Sequence, residues 1–327
     1  MLTKKQNLLE TIRGGNPDRF VNQFEPFAFV SDPHLKRSRG MPQGTEMVNS
    51  WGITIRFPEG TPGPFPVHDE EHTVLKDITK WRETVKFPDL NFSKEQWDES
   101  RAAADEIDRE DKFVTSMIVP GVFDHLHYLM GMDAALISFY EEPEILKELI
   151  EAITLWELEH ARLLCENLQP EAILHHDDWG SQISTFLSPD MFDEFIFPSY
   201  KRIYGYYKAN GVQVIVHHSD SYAATLVPHM IDVGIDIWQG CIDTNNIPEL
   251  IKQHKGQIAF MGGINNGIAD VPGQTEEFIA QLVEKTCREC GTLSFIPGLT
   301  AGGPSSTYPG VYDMVTHEID RMSKLMF

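Results

Sequence analysis

Short apolar runs and polar clusters alternate along this chain in the manner of an α/β protein. The clearest run is Val212–Val216, which follows Gly211 and passes directly into His217, His218 and Asp220. An uninterrupted apolar run of this length is typical of a strand covered on both faces of a parallel sheet. Parallel α/β folds bind ligands at the carboxyl ends of their strands, so these side chains stand at a candidate site.

The same pattern recurs along the whole chain, with helical spacing between the runs. The eight strand candidates are a strand within Phe20–Val30 that ends near Glu25, then Trp51–Phe57, Phe113–Val119, Ala172–His176, Val212–Val216, Ile235–Trp238, Ile258–Met261 and Leu293–Ile296. No linker, repeat or low-complexity tract separates them. We therefore predict one domain over residues 1–327, an α/β fold of the (β/α)8 TIM-barrel type. A doubly wound open sheet is the alternative.

Local signals place several helices and one long loop. Ser93 and Gln96 form a capping box, and Ser188 followed by Pro189 predicts the start of a helix that runs to Ala209. The Pro/Gly-rich segment from Pro58 to His72 is too long for a simple connection. Loops of this kind usually cover a site, and we expect this one to do so.

Charge and cysteine content narrow the classes of function. The chain has 49 acidic and 27 basic residues, which gives a net charge of −22. Such a charge repels nucleic acids and anionic membranes, and neither is an expected partner. No apolar run approaches the roughly 18 residues of a membrane span, and no signal peptide opens the chain, so we expect a cytoplasmic protein. Cys287 and Cys290 lie in a helical pattern without a second pair, which favours a buried helical turn over a metal site.

In a barrel, all strand ends meet at one mouth, so their side chains would form one site. Substrate contacts are expected from Glu25, Phe27, His176, Trp179, Trp238, Gln239 and Asn265, and catalysis from Asp178, His218 and Asp220. For any one of these residues, a turn or capping role is the alternative.

Alternation along the strand selects Asp178 over Asp177, with Trp179 as the pocket wall beside it. A carboxyl group beside aromatic rings has a raised pKa and can act as a general acid. His218 and Asp220 offer a nitrogen and an oxygen two residues apart, which zinc can use. A hydrogen-bonded His–Asp pair is the alternative for these two residues.

A family resemblance emerges from the order of these motifs. DDWG, a helix beginning SPDMFDEFIFPSYKRI, a strand ending HHSDS, then VPHMIDVGIDIW and MGGINN follow one another along the chain. This order resembles the uroporphyrinogen decarboxylase superfamily, which consists of TIM barrels and includes cobalamin-dependent methyltransferases. The resemblance extends from NPDRF to the end of the chain and is strongest from Asp177 to Asn266.

Departures from the family patterns separate its branches. Decarboxylases carry an arginine-containing segment that binds substrate carboxylates. Here the corresponding segment has a different sequence, FEPFAFVSDPHLKRSRGMP, which keeps Lys36, Arg37 and Arg39. Thiol-methylating members carry His-x-Cys and a later Cys for zinc. Here His218 keeps the first position, Asp220 replaces the Cys, and PGLTAGGPSSTYPG has no Cys.

Corrinoid methyltransferases either methylate a thiol or remove a methyl group from a donor. Because the cysteines of the thiol-activating set are missing here, the resemblance implies the second of these half-reactions. The expected function is removal of a methyl group from a small O-methyl or N-methyl substrate, and its transfer to cobalt in a separate corrinoid protein. An aryl methyl ether is the first expectation for the donor and a methylated amine is the alternative, while zinc remains a candidate cofactor. The alternative hypotheses are a decarboxylase-like carboxy-lyase and a non-catalytic binding barrel. The oligomeric state is not predicted.

Overall fold

The computed structural model describes residues 1–36, 41–61, 63–304 and 306–327. Within these ranges the chain forms a seven-stranded parallel sheet, a three-stranded antiparallel sheet and surrounding helices. The strands are β1 (Phe27–Val30), β2 (Thr45–Val48), β3 (Thr54–Phe57), β4 (Phe65–Pro66), β5 (Phe113–Ile118), β6 (Ala172–His176), β7 (Val214–His218), β8 (Ile237–Cys241), β9 (Ala259–Ile264) and β10 (Phe295–Leu299).

The helices lie between consecutive strands of the parallel sheet, except for one that precedes the sheet and one that follows its last strand. They are α1 (Lys4–Ile12), α2 (Pro33–Lys36), α3 (Trp81–Thr84), α4 (Lys94–Asp105), α5 (Val122–Met130), α6 (Met132–Glu141), α7 (Pro143–Asn167), α8 (Pro189–Phe195), α9 (Phe197–Ala209), α10 (Val227–Val233), α11 (Ile247–His254), α12 (Asn266–Ala269), α13 (Glu276–Cys290) and α14 (Val311–Met326). Three short 3-10 helices complete the described elements: Ile78–Lys80, Ala224–Leu226 and Asp243–Asn245.

The parallel sheet has the strand order β1-β5-β6-β7-β8-β9-β10. Its two edges approach each other through Gln23, whose Oε1 accepts a hydrogen bond from the backbone N–H of Leu299 at 3.4 Å. Nε2 of Gln23 also donates to Oγ1 of Thr316 at 2.9 Å. The sheet therefore curls on itself, but β1 and β10 do not pair in the part of the chain that the structure describes.

The prediction of an α/β fold with a parallel sheet is confirmed, whereas a barrel of eight strands is not. Seven of the eight predicted strands lie in the parallel sheet. The segment Trp51–Phe57 instead supplies β3, which pairs antiparallel with β2 and β4. A period-two pattern identifies a strand but not its neighbours. For this reason the prediction assigned one strand too many to the parallel sheet.

The first strand also differs from its prediction. β1 starts at Phe27, so Glu25 precedes the strand instead of ending it. Backbone hydrogen bonds hold residues 22–27 in turns, with the N–H of Glu25 on the carbonyl of Asn22 and the N–H of Phe27 on that of Phe24. Glu25 consequently lies at the amino end of the sheet, opposite to the predicted mouth.

The capping signals are confirmed, with one interruption. Ser93 and Gln96 make both hydrogen bonds of a capping box at α4, and Ser188 accepts the N–H of Met191 at α8. The predicted helix from Ser188 to Ala209 is divided at Ile196 into α8 and α9. Pro198 in the first turn of α9 has no N–H, which is compatible with a helix start but not with an uninterrupted ladder.

Two apolar layers hold the fold together. One lies inside the curled sheet, and the other lies between the sheet and the helices. All four cysteines are buried and free, and Cys287 and Cys290 sit on the buried face of α13, as expected for a helical turn. None of the described helices is long and apolar enough to cross a membrane.

Candidate active site

A cavity of about 1210 Å³ reaches the carboxyl ends of the central strands. His176, the last residue of β6, and His218, the last residue of β7, both line it. The two residues are in register across the parallel pair, which sets their rings side by side. The ring centroids lie 4.4 Å apart and the rings are stacked.

Asp178 completes a compact group with these two histidines. One ligand-type atom from each of His176, Asp178 and His218 lies within 4.8 Å of the other two. The backbone N–H of Asp220 donates to Oδ1 of Asp178 at 3.1 Å. Because β6 and β7 are neighbours, the two loops that follow them can cross-link in this way.

Asp124 holds the group from the side. This residue lies in the first turn of α5 and is almost completely buried. Its Oδ2 is 3.1 Å from Nδ1 of His176, and its Oδ1 is 3.0 Å from Nε2 of His127. The strand-end pattern of the sequence does not include Asp124, because this residue lies on a helix. An acid in the first turn after a Pro-Gly strand terminus, three residues before His127, was the available signal.

The pairing of Asp124 with His176 fixes their charges. Burial disfavours both charged forms, but the mutual hydrogen bond and attraction outweigh it. The pKa of His176 is raised to about 9, and the pKa of Asp124 is lowered below its ordinary value. Near neutral pH the two residues therefore form a buried ion pair.

His218 has the opposite charge state. Burial and the nearby charge of His176 lower the pKa of His218 to about 3, so this ring is neutral. Its Nδ1 shares a short hydrogen bond with Oε1 of Gln239, and Nε2 of Gln239 donates to the carbonyl of Thr300 at 3.3 Å. The Gln239 acceptor favours the proton on Nδ1 of His218, which leaves the Nε2 lone pair available.

Asp178 is protonated in this environment. Burial raises its pKa to about 8, and the negative charges of Asp124 and Asp220 act in the same direction. The charge of His176 and the N–H of Asp220 oppose the shift but do not cancel it. A neutral carboxylic acid therefore stands beside two imidazoles, one charged and one neutral.

Asp177 faces away from the cavity, as strand alternation predicts. Its carboxyl group accepts hydrogen bonds from the backbone N–H groups of Phe123 and Asp124, from Nε1 of Trp179 and from the hydroxyl of Tyr200. Asp177 thus caps α5 and positions Asp124.

The chain also matches the model of a known protein family. The family model described as uroporphyrinogen decarboxylase (URO-D) matches residues 47–322. The chain belongs to the uroporphyrinogen decarboxylase family. This confirms the resemblance seen in the sequence, and membership in this family indicates an enzyme.

A solved structure of a methyltransferase shares this fold at low sequence identity. A "methyltransferase from Methanosarcina mazei" has a TM-score of 0.67 and 14% identity, with 98% of this chain and 99% of that chain covered. An endo-β-1,4-xylanase from Gloeophyllum trabeum has a TM-score of 0.39 and 10% identity, with 70% and 81% covered. No curated protein sequence matches the chain.

Two tryptophans of this chain that the sequence predicts as substrate contacts do not line the cavity. Trp179 is buried in the helix layer, where its ring lies 3.8 Å from that of His217. Trp238 is fully buried, and its Nε1 donates to the carbonyl of Ser219 at 2.9 Å. Both face outward from the sheet, because strand alternation sends their neighbours Asp178 and Gln239 to the cavity instead. Neither ring is therefore placed to contact a molecule in this cavity as the sequence had predicted.

Asn265 and Asp220 also have other roles than those predicted. Asn265 caps α12, and its Nδ2 donates to Oδ1 of Asp243 at 3.1 Å, whereas Asn266 lines the cavity. Asp220 lines the cavity, but it is not in the compact metal-type group and does not orient His218. Gln239 has that orienting position, since it comes from the adjacent strand β8.

Phe27 and Glu25 line the cavity as expected, although from its other end. Four described residues of the Pro58–His72 segment, Gly63 to Pro66, also line it. Arg37 and Arg39, which belong to the segment that departs from the decarboxylase pattern, lie outside the described residues.

The donor set of the compact group fits a divalent metal such as zinc. Both imidazoles have Nδ1 hydrogen-bonded to a side-chain oxygen, on Asp124 for His176 and on Gln239 for His218. Metal-binding histidines are typically oriented in this way, and a bound ion would displace the second ring proton of His176 and the carboxyl proton of Asp178. Two nitrogens and one carboxylate oxygen are ligands of catalytic zinc sites. The residues that fit are therefore His176, Asp178 and His218, in place of the predicted pair His218 and Asp220.

Proposed function

We propose that this protein transfers a methyl group from a small O-methyl or N-methyl substrate to the cobalt of a separate corrinoid protein. One observation carries the proposal: the carboxyl group of Asp178 stands beside His176 and His218 at one end of a large cavity. Family membership and the fold shared with a methyltransferase support it.

The chemistry of demethylation requires an acid at this position. A Co(I) corrin is a strong nucleophile, but an alkoxide, phenoxide or amine leaves poorly unless it is protonated or coordinated. Asp178 can deliver a proton to the leaving oxygen or nitrogen, as a general acid whose pKa is near the working pH does most effectively. A divalent metal bound by this group would displace that proton and would supply Lewis-acid assistance to the same departure in place of the acid.

The neighbouring residues support that step. His176 is held as an imidazolium by Asp124 and can stabilise negative charge that develops on the leaving atom. His218 stays neutral and can accept a hydrogen bond through Nε2. Asp220 keeps one oxygen of Asp178 fixed through its backbone N–H, so the acid is positioned before substrate binds.

The lining of the cavity suits an aromatic or cationic donor. Its aromatic residues are Phe24, Phe27, Phe29, Phe65, Tyr128, Phe186 and Tyr312. These rings can pack against an aryl methyl ether, which is our first choice of substrate. Together with the carboxylates they can also hold a methylated ammonium group. The segment from Pro58 to His72 would close over the bound donor and exclude water.

The charge of the cavity lining disfavours uroporphyrinogen decarboxylation as the function. The carboxyl groups on the described part of the lining are Glu25, Asp124, Asp178, Asp220, Asp270 and Asp320. Lys112 is the one lysine or arginine among these described residues. A porphyrinogen with many carboxylates would be repelled by such a lining.

The test combines the purified protein, a reduced corrinoid protein and a panel of methoxyarenes and methylated amines. Formation of methyl-cobalt is followed by absorbance. We expect transfer from at least one donor, loss of transfer in Asp178→Ala and His218→Ala, and normal transfer in Asp105→Ala, an exposed acid on α4. Release of carbon dioxide from uroporphyrinogen, without transfer from any donor, would overturn the proposal.

A further inference from the structure

The cavity does not end at the acidic and imidazole groups. It is also lined by Glu25 and Lys112, which precede β1 and β5 and therefore lie at the amino end of the sheet. The register between β5 and β6 pairs Thr115 with Ala172, four residues before His176. At about 3.3 Å per residue, the distance along the strands from His176 to the level of Lys112 is roughly 20 Å. The cavity thus spans the whole height of the sheet.

The unpaired edges explain this depth. In an eight-stranded barrel, side chains from all strands fill the interior. Here β1 and β10 do not pair, and Gln23 spans the gap with a single side chain. The interior beside β1 is consequently left open, and Phe27 and Leu174, which belong to the apolar cluster inside the sheet, line the opening.

Apolar side chains line the space between the two ends in successive layers. Met117 and Leu174 are in register, two residues below the level of His176. Phe29 is level with Thr115 and Ala172, and Phe27 is two residues deeper. The ring centroids of Phe27 and Phe29 lie 6.5 Å apart, and those of Phe24 and Phe29 lie 6.0 Å apart. These three rings form a continuous aromatic wall along the cavity.

Phe29 lines the cavity with its ring partly open, since 39% of the residue is exposed. It lies about 13 Å below His176 along the strands, beyond the reach of a donor with a single ring. An exposed ring that faces a cavity and is flanked by two more aromatic rings is suited to contact an aromatic ligand.

We infer that the methyl donor is elongated, with a planar aromatic body about two rings long that lies along Phe29 and Phe27. Its methyl group would be placed at Asp178, and its far end would approach the level of Phe27. The inference rests on the proposed function, which it deepens by naming the class of donor. A donor of one ring would fill the upper layer and leave the aromatic wall without a contact.

Binding without the corrinoid protein tests this directly, since no turnover occurs. Titration calorimetry would compare 4-methoxyphenol with 4-methoxy-4′-hydroxybiphenyl, which carries the same reacting group and one more ring. We expect the longer donor to bind at least tenfold more tightly to the wild type. Phe29→Ala should remove most of this advantage and leave the shorter donor within twofold. Phe278→Ala is the matched control, because Phe278 is 40% exposed on α13, away from the cavity lining.

A second variant tests the path between the layers. Met117→Trp should obstruct the cavity below Asp178 and weaken the longer donor at least tenfold. Ile137→Trp, at an exposed position on α6 outside the cavity lining, should bind both donors normally. Equal affinity of the two donors for the wild type, or an unchanged preference in folded Phe29→Ala, would overturn the inference. If the longer donor binds as expected but no methyl-cobalt forms when corrinoid protein is added, the proposed function fails instead.

Discussion

Nδ1 of His176 lies 3.1 Å from Oδ2 of Asp124, and the two residues form a buried ion pair at the end of β6. The pair joins a strand end to the first turn of α5, an element that no strand-end pattern includes. Because Asp124 also accepts the backbone N–H of Asp178, a single carboxylate positions two of the three residues of the compact group.

Replacement of Asp124 by Asn tests this positioning role. The amide keeps the size of the side chain but removes the charge that holds His176 as an imidazolium. We expect kcat/KM for methyl transfer to fall about 10- to 100-fold, which is typical when an outer hydrogen-bond partner of a site residue is lost. The pKa of His176, followed by NMR, should fall from about 9 towards its ordinary value.

Asp133→Asn provides the control for this variant. Asp133 is an exposed acid in the first turn of the next helix, α6, and its loss should leave the rate unchanged. A normal rate in Asp124→Asn, with an unchanged pKa of His176, would show that the ion pair has no part in the reaction.

Metal binding can be measured independently of activity. Equilibrium dialysis against zinc should give one site per chain, and His176→Ala and His218→Ala should each weaken binding at least tenfold. Asp220→Asn should bind zinc normally, because Asp220 is outside the compact group. Loss of zinc in Asp220→Asn with retention in His176→Ala would instead favour the ligand pair expected from the sequence.

The raised pKa of Asp178 predicts the pH dependence of the metal-free enzyme. The carboxyl group is protonated below its folded pKa of about 8 and loses its proton as the pH rises through that value. If Asp178 is the acid, kcat should be constant below pH 7 and fall about tenfold per unit well above pH 8. The measurement is a pH–rate profile after treatment with a chelator. A rate that rises through pH 8 would exclude Asp178 as the proton donor.

A second buried carboxyl group, Glu157 on α7, predicts a pH effect on stability. Its Oε2 lies 3.3 Å from Nε2 of His175, and its Oε1 lies 3.9 Å from Nδ1 of His125. Burial raises the pKa of Glu157 well above its ordinary value, and it lowers the pKa of both histidines to about 3. All three side chains are therefore neutral in the folded protein. If Glu157 lost its proton, neither histidine would carry a positive charge to compensate it.

The sign of the effect follows from the raised pKa. In the unfolded chain Glu157 ionises above about pH 4.3, whereas in the folded protein it stays protonated. Its contribution to stability is thus fully present below that pH and is lost as the pH rises towards the folded pKa. Glu157→Gln should be more stable than the wild type at pH 8 by about 1 kcal/mol or more, with the difference vanishing near pH 4.

Urea unfolding at several pH values measures this difference. Glu159→Gln is the matched control on the same helix, because Glu159 is exposed and paired with Arg162. Its substitution should give no gain at pH 8. A pH-independent difference between Glu157→Gln and the wild type would show that Glu157 titrates normally in the folded state.

The sequence by itself determined the elements whose signals are local. Ala172–His176 was predicted residue for residue, since an apolar run between a helix end and a polar cluster has few other interpretations. The caps at Ser93 and Ser188 were predicted because their hydrogen bonds join residues three apart. Alternation along one strand also separated Asp178, which lines the cavity, from Asp177, which does not.

The tertiary structure alone decided which side chains meet. The same alternation that placed Asp178 in the cavity turned Trp179 and Trp238 into the helix layer, away from the substrate contacts predicted for them. The packing of α5 against β6 brought Asp124 to His176, and the pairing of β7 with β8 gave His218 a partner in Gln239. These contacts join residues 52 and 21 positions apart. A local pattern does not specify such distances, because they depend on how strands and helices pack once the chain has folded.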